Sequence, residues 1–258
     1  MAGKDYLRLR QICLVARDLQ KAEDDVRAIF GSEACYHDPN VGKYGLQNAL
    51  FPLGDKLLEV VVPTRDGTAA GRFLDRFGER GGYMVIMDCS DVERRREHVT
   101  RLQIPIINTL DYDGFLAIQL HPRVCRAAML EFNRTAGGDT TAGPYHPAGP
   151  NWPSAAKLPA TARLKVVEVE SPDPVALGKR WAEIIELPLN TGATRFIEFE
   201  DARIVFVPGA DATQERLIGL GVAVADPARS MEAARKRGLV DAAGDIWLYG
   251  VRIKLESL

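Results

Sequence analysis

Residues 11–30 read Gln11-Ile12-Cys13-Leu14-Val15-Ala16-Arg17-Asp18-Leu19, followed by Gln-Lys-Ala-Glu-Asp-Asp-Val-Arg-Ala-Ile-Phe30. Gln11 and five apolar residues, Ile12–Ala16, read as a strand, and Asp18 follows one residue on. Leu19, Ala22, Val26 and Ile29 then fall on one face at helical spacing. Aspartate before such a stripe is a helix N-cap: its carboxylate accepts the orphan N–H groups of the first turn and suits the positive end of the helix dipole. The stretch therefore predicts a strand, a cap and an amphipathic helix.

The same sentence is written three more times. Tyr83–Met87 is a strand, Asp91 a cap, and Val92, Val99 and Leu102 a helical face. Val166–Val169 leads to Asp173, Pro174 and the stripe Leu177, Trp181 and Ile184. Leu220–Val224 leads to Asp226, Pro227, Met231 and Ala234. Proline at the first helical position is pre-set for the helix and sacrifices no bonded N–H. After each helix come further strands: Asn48–Leu53 and Leu57–Val62; Ile104–Leu110, Phe115–Leu120 and Ala127–Phe132; Arg195–Phe199 and Arg203–Val207; Asp245–Leu248 and Val251–Leu255. Short turns such as Gly54-Asp55 and Asp201-Ala202 suit hairpins. The unit is strand, helix, then two or three antiparallel strands, repeated in two pairs.

Between the pairs lies a segment rich in Gly, Pro, Thr and Ala, with Pro144, Pro147, Pro150, Pro153 and Pro159. Its composition marks a linker. Tyr145, His146 and Trp152 lie within it, and a flexible spacer seldom carries a tryptophan, so part of it is expected to pack on a module, over a cavity mouth or as plain surface packing. The expected organisation is a first module over 1–135, a linker over 136–161 and a shorter second module over 162–258.

The totals exclude several classes. With 258 residues, a net charge of −2 and a pI near 6.1, the chain can bury a sizeable core and shows no pull toward nucleic acid or anionic membrane. Arg94-Arg95-Arg96 reads as a solvated helix face, with His98 beside it. No apolar run reaches the roughly 18 residues of a membrane span, and Met1–Asp5 lacks the apolar stretch of a signal peptide. Cys13, Cys35, Cys89 and Cys125 show no Cys-x-x-Cys spacing, and Cys13 and Cys89 read as buried thiols in strands. A cytoplasmic protein without disulfides or zinc fingers is expected.

Two carboxylates break the pattern. Glu59 stands inside Leu57-Leu58-Glu59-Val60-Val61-Val62, and Glu131 inside Ala128-Met129-Leu130-Glu131-Phe132. An unpaired buried carboxylate costs several kcal/mol, so each needs a cation, a metal, donors or a proton. Two in one chain suggest a shared site.

Taken together, Gln11–Leu19, Gly45–Asp55, Leu58-Glu59-Val60, Gly82–Val85 and Leu120-His121-Pro122 through Glu131 resemble the vicinal oxygen chelate superfamily. That superfamily includes glyoxalase I, methylmalonyl-CoA epimerase, bleomycin-resistance proteins and extradiol dioxygenases, and the nearest likeness is to its glyoxalase-like domain proteins. The likeness covers residues 7–133 well and 162–258 by pattern only. It implies an α+β fold in which paired βαβββ units form half-open, barrel-like curved sheets, here as two modules. It also implies a divalent metal held by the first, fourth, fifth and eighth strands. Those positions fall on Gln11, Glu59, Tyr83 or Met84, and Glu131. The fifth-strand position lacks the family's usual histidine; thioether is too soft, and phenol too weak, to complete a hard-cation shell. In the second module the matching positions fall near Val166, Ile204 and Gly219, none of them a ligand.

Three readings of Gln11, Glu59 and Glu131 follow. They hold a metal, completed by His121 or water, that acts as Lewis acid. Or they work without metal, one acid having a raised pKa fit for proton transfer. Or the cavity only binds a small molecule. Glu59, Glu131 and His121 are the catalytic candidates, and Asn48, Tyr83 and Trp152 the substrate-binding ones. His121, at the end of a strand, reads equally as a rim histidine; His37 reads as a turn residue, Trp181 as core and Trp247 as packing. The leading expectation is a glyoxalase-like lyase, isomerase or oxygenase acting on a small carbonyl or phenolic compound in the first module. The alternative is a non-catalytic, sequestering binder. Its partner is a small molecule, and the chain is a monomer or homodimer.

Overall fold

The computed structural model describes residues 5–78, 81–112, 114–156, 160–209, 211 and 213–258. Met1–Lys4 and Pro159, both read above, lie outside them. In chain order the elements are β1 (Leu7–Val15), α1 (Leu19–Phe30), β2 (Leu46–Leu53), β3 (Lys56–Pro63), α2 (Ala69–Phe77), β4 (Met84–Cys89), α3 (Val92–Arg101), β5 (Ile106–Tyr112), β6 (Phe115–Leu120), α4 (Pro122–Cys125) and β7 (Met129–Thr135). There follow α5 (Trp152–Ala155), β8 (Ala162–Ser171), α6 (Pro174–Ile185), β9 (Leu189–Thr191), β10 (Arg195–Glu198), β11 (Arg203–Pro208), β12 (Arg216–Val224), α7 (Pro227–Lys236), β13 (Ile246–Leu248) and β14 (Val251–Ser257).

All four aspartate caps form. Asp18, Asp91, Asp173 and Asp226 accept from Lys21, Arg94, Ala176 and Arg229 N–H at 3.0, 2.9, 2.9 and 3.0 Å. The strands make two seven-stranded sheets, ordered β2-β3-β1-β4-β7-β6-β5 and β13-β14-β12-β8-β11-β10-β9. In each unit the first strand lies parallel to the last: β1 with β3, β4 with β7, β8 with β11, β12 with β14. The two units of each module meet antiparallel, at β1–β4 and β8–β12.

One apolar core runs through both modules and takes in α1, α3, α6 and α7. Trp181 is wholly buried there and donates its indole N–H to the Cys125 carbonyl at 2.7 Å. The arginine run of α3 is not a solvated face. Arg95 is buried and donates to the Ile185 carbonyl at 3.0 Å, Arg94 pairs with Glu186 at 2.9 Å, and His98 contacts the Glu183 carbonyl at 2.8 Å. The reason is local: α6 ends at Ile185, and cations are favoured at the carbonyl end of a helix. Ser230 likewise donates to the Ile29 carbonyl, which ties α7 to α1.

The other face of the first sheet is covered from both ends. At one end α2 lays Ala70 and Leu74 on Cys13, Val15, Val61 and Met84. This helix was not anticipated, because glycines 67, 71 and 78 break up a stripe of Ala70, Phe73, Leu74 and Phe77; Thr68 nonetheless caps it through the Gly71 N–H at 2.9 Å. At the other end the proline-rich segment folds back on the sheet. Tyr145, Ala148 and Trp152 are buried against Leu50 and Leu57. Two arginines of β1 hold it: Arg8 donates to the Gly138 and Asp139 carbonyls at 3.1 Å, and Arg10 to Thr141 at 2.8 Å. The Arg10 guanidinium also lies over the Tyr145 and Trp152 rings, 4.7 and 5.2 Å from their centroids. Composition alone suggested a spacer; the aromatic anchors and carbonyl acceptors make residues 136–156 a structural strap.

Trp152→Ala removes the largest anchor of that strap. It should cost about 3–5 kcal/mol of stability in denaturant titrations, and the amides of residues 138–156 should lose protection from hydrogen exchange before those of β1 and β4.

Candidate functional site

Strand register places the site on an approximate two-fold axis. The pairs Gln11–Ile86, Ile12–Val85 and Cys13–Met84 put that axis through Ile12–Val85, so that it exchanges Gln11 with Met84. Glu59 pairs with Cys13 and Glu131 with Ile86, so the same axis exchanges the two acids. Period-two alternation then sends all four side chains to the covered face, where the curl of the sheet turns them toward one cavity. That cavity holds about 360 Å³.

Both acids are almost fully buried, Glu59 at 8% exposure and Glu131 at 4%. Each carboxyl oxygen accepts one amide N–H. Asn48 and Gln11 donate to Glu59 at 2.6 and 2.8 Å; Asn133 and Gln119 donate to Glu131 at 2.9 and 2.8 Å. Tyr145 joins the two halves, accepting from Asn133 at 3.2 Å and donating to the Gln11 side-chain Oε1 at 3.4 Å. Asn48 is held from behind by the Asp38 N–H at 2.8 Å, and Gln119 by Asn108 at 3.1 Å. No lysine or arginine lines the cavity among the described residues.

The electrostatics follow from that composition. Burial raises both glutamates above the ordinary range, against the lowering effect of their amide donors. The charge of Glu59 raises Glu131 further. The Cys13 thiol beside Glu59 lowers it somewhat, an influence Glu131 lacks, so Glu59 is the better placed of the pair to carry the charge. Burial pushes the Tyr83 phenol up to about 12 and the Cys13 thiol well above its usual value.

The walls are apolar and aromatic. Tyr83 lines the cavity and packs edge-on against Phe73 of α2, with centroids 5.1 Å apart. Opposite, His146 of the strap stacks on Phe115 at 4.6 Å. Tyr44, Tyr112, Met84 and Met129 complete the enclosure.

The structure brings Gln11, Glu59, Glu131, Asn48 and Tyr83 together. It does not bring His121 or Trp152. His121 caps α4, its Nδ1 accepting the Arg123 N–H at 3.2 Å, and lies outside the cavity lining. Proline at position 122 turns the chain into that helix and takes the imidazole with it. Trp152 lies beneath the cavity, in the apolar anchor of the strap. His37 pairs with Glu23 on the surface. Sequence reasoning missed Gln119 and Asn133, and gave Tyr145 a packing role without its place in the acid network. The first two were accessible in principle: residues 119, 131 and 133 share one face once β6 and β7 are paired antiparallel with Gln119 opposite Glu131.

The donor set does not fit a resident divalent ion. The fourth symmetric position is the Met84 thioether, and each carboxyl oxygen already receives an amide proton. No group of three His, Cys, Asp or Glu side chains suited to a metal occurs among the described residues.

The second module is built differently on the same plan. Asp173 aligns with Asp18 and Asp226 with Asp91, which puts Val166 at the place of Gln11, Glu168 at that of Cys13 and Gly219 at that of Met84. Register then gives Val205, rather than Ile204, for Glu59, and Lys254 for Glu131. Lys254 pairs with Glu168 at 2.6 Å, and Arg252 joins them at 3.3 Å. An ion-pair cluster thus takes the place of the buried acids.

This is the fold of the vicinal oxygen chelate superfamily, in two paired modules. A hypothetical protein from Staphylococcus aureus superposes with a TM-score of 0.69 at 12% identity, over 98% of this chain and 99% of its own. A mutant of 4-hydroxymandelate synthase from Streptomyces coelicolor superposes with a TM-score of 0.64 at 13% identity, over 93% and 76%. Methylmalonyl-CoA epimerase from Streptomyces coelicolor aligns with 50% of this chain and 97% of its own, at 21% identity and a TM-score of 0.46. No protein-family model and no curated protein matches the sequence.

The raised acids set the pH dependence of stability. A carboxyl with a raised native pKa binds its proton more tightly folded than unfolded, so stability is fullest below the unfolded value near 4.5 and falls as pH rises through the native value. Glu131→Gln should therefore unfold at higher denaturant concentration than the native protein at pH 8, with the gap closing below pH 4.

Proposed function

We propose that the first module is a glyoxalase-like enzyme that moves a proton at a carbon next to a carbonyl, as an isomerase or lyase, with Glu59 as base and Glu131 as acid. The observation that carries this reading is the pair itself: two buried carboxyls, raised in pKa, in one cavity, with no cation beside either. Pairs of acids whose surroundings separate their proton affinities are suited to acid–base work near neutral pH. Glu59, with the Cys13 thiol lowering it where Glu131 has no such neighbour, takes the C–H proton as carboxylate. The C–H electrons form the enolate double bond and the carbonyl oxygen gains charge, which Glu131 meets with its own proton. Return of a proton to carbon gives the isomer; loss of a group from the neighbouring carbon gives the lyase product. Gln11, Asn48, Gln119 and Asn133 hold the two carboxyls in place, and the aromatic walls exclude water. No step is routed through a metal.

The solved neighbours include enzymes of this fold, which supports an enzymatic use of the scaffold without naming a reaction. All four cysteines are free thiols, which suits the reducing cytoplasm. One chain already pairs two modules around a shared core, which favours a monomer.

The test is wash-in of solvent deuterium. Aryl ketones and 1,2-dicarbonyl compounds are incubated with the protein in D2O and followed by NMR. Exchange at the carbon beside the carbonyl is expected, falling at least about 100-fold in Glu59→Gln. Binding of the same compounds with no exchange, and with equal affinity in Glu59→Gln, would identify a sequestering protein instead.

A further inference from the structure

The first-module cavity is one-sided in its chemistry. Its lining carries Asp38, Glu59 and Glu131, and no lysine or arginine. Three cations near its walls are engaged elsewhere. Arg10 lies over the Tyr145 ring and donates to the Thr141 carbonyl of the strap. Lys43 lies over the Tyr44 and Tyr112 rings at 4.9 and 4.7 Å and bonds the Tyr112 hydroxyl. Arg72 donates to the Gly67 carbonyl at 2.6 Å.

Hydrogen-bonding capacity is unbalanced in the same direction. Each carboxyl oxygen accepts a single amide N–H, although a carboxylate offers about four acceptor sites in all. Above these acceptors stand the aromatic rings Tyr44, Tyr83, Tyr112 and Phe115, whose faces attract cations and pack on apolar bodies. The corresponding place in the second module shows what the chain does when it balances such a face itself: Lys254 and Arg252 sit directly on Glu168.

We infer that the ligand of this cavity supplies the missing charge: a small organic cation, a protonated amine on an aromatic or apolar body, whose N–H groups reach Glu59 and Glu131. This rests on the proposed active site and names its substrate class. An ammonium carries three donors and no acceptor, which matches a floor of acceptors. An anion would meet two acids with no lysine or arginine in the lining, and a neutral body would bring no charge to them. A protonated amine near the reacting carbonyl would also make the C–H more acidic.

Matched arylalkylamines and arylalkanols (2-phenylethylamine with 2-phenylethanol, and the benzyl and 3-phenylpropyl pairs), together with 3-phenylpropionate, test this by calorimetry on the whole chain. At least one amine is expected to bind ten times or more tightly than its alcohol, with no binding of the carboxylate. Glu59→Gln and Glu131→Gln should each weaken the amine about tenfold and leave the alcohol unchanged. Should no amine bind more tightly than its alcohol, the inference falls. It falls also if the dialysed protein retains a stoichiometric divalent ion that both variants lose, since the cation would then be a metal. Amine binding without deuterium exchange would sink the proposed reaction and leave the ligand class standing. Exchange on neutral ketones with no preference for amines would do the reverse.

Discussion

Four amide side chains stand between two carboxyl groups and the cost of taking them out of water. Desolvation of an unpaired carboxylate runs to several kcal/mol, and a hydrogen bond to a charged group returns about 1.5–3 kcal/mol. Two amide bonds per acid thus come close to balancing the ionised form without overtaking the neutral one. An arginine in place of any of those amides would have held a fixed charge beside the pair whether or not a ligand was bound. Neutral donors hold the geometry of Glu59 and Glu131 and leave their protonation open. Most of what distinguishes the first module serves that arrangement: the strap that carries Tyr145 into the network, the helix α2 that shuts the opposite end, and the Arg10 cation spent on aromatic rings rather than on an acid.

Much of the fold was legible because its signals are local. A cap aspartate, a stripe at helical spacing and an apolar strand are each written within about fifteen residues, and four repetitions in two pairs leave few ways to assemble them. The two acids were legible for a related reason, since a charge inside a strand that alternates poorly has to be explained. What was not legible depended on register or on contacts far apart in sequence. Gln119 looks like a solvent-facing polar residue until β6 is laid against β7 and finds Glu131 opposite it. Tyr145 sits among prolines, in a segment whose composition argues against burial; only the carbonyl-binding arginines of β1 bring it down onto the sheet. His121 erred the other way. It stood at the right strand end by spacing, but the following proline starts a helical turn, and a cap needs the imidazole more than the cavity does.

The two modules show one plan put to two uses. Both pair their units through an antiparallel β1–β4 or β8–β12 contact, and both turn a helical face toward the shared core. They diverge on the opposite face. In the first, strap and helix enclose that face, and water is displaced from a polar floor by neutral partners. In the second, Glu168 and Glu170 are met by Lys254, Arg252 and Arg216, and the charge is settled within the protein.

That contrast bears on why the chain keeps both halves. The helices α1 and α3 of the first module do not finish their packing alone: α7 ties to α1 through Ser230, and α6 offers its carbonyl end to Arg95. A buried acid pair lowers stability at neutral pH, and a cavity of about 360 Å³ forgoes packing contacts as well. The second module adds apolar burial across α1, α3, α6 and α7, and the acids of its own cleft, of about 710 Å³, are paired with cations. It thereby offsets the instability that the first module's site imposes. The site and its stabiliser are drawn from one repeated unit, and the difference between them comes down to whether an acid on the covered face meets an amide or a lysine.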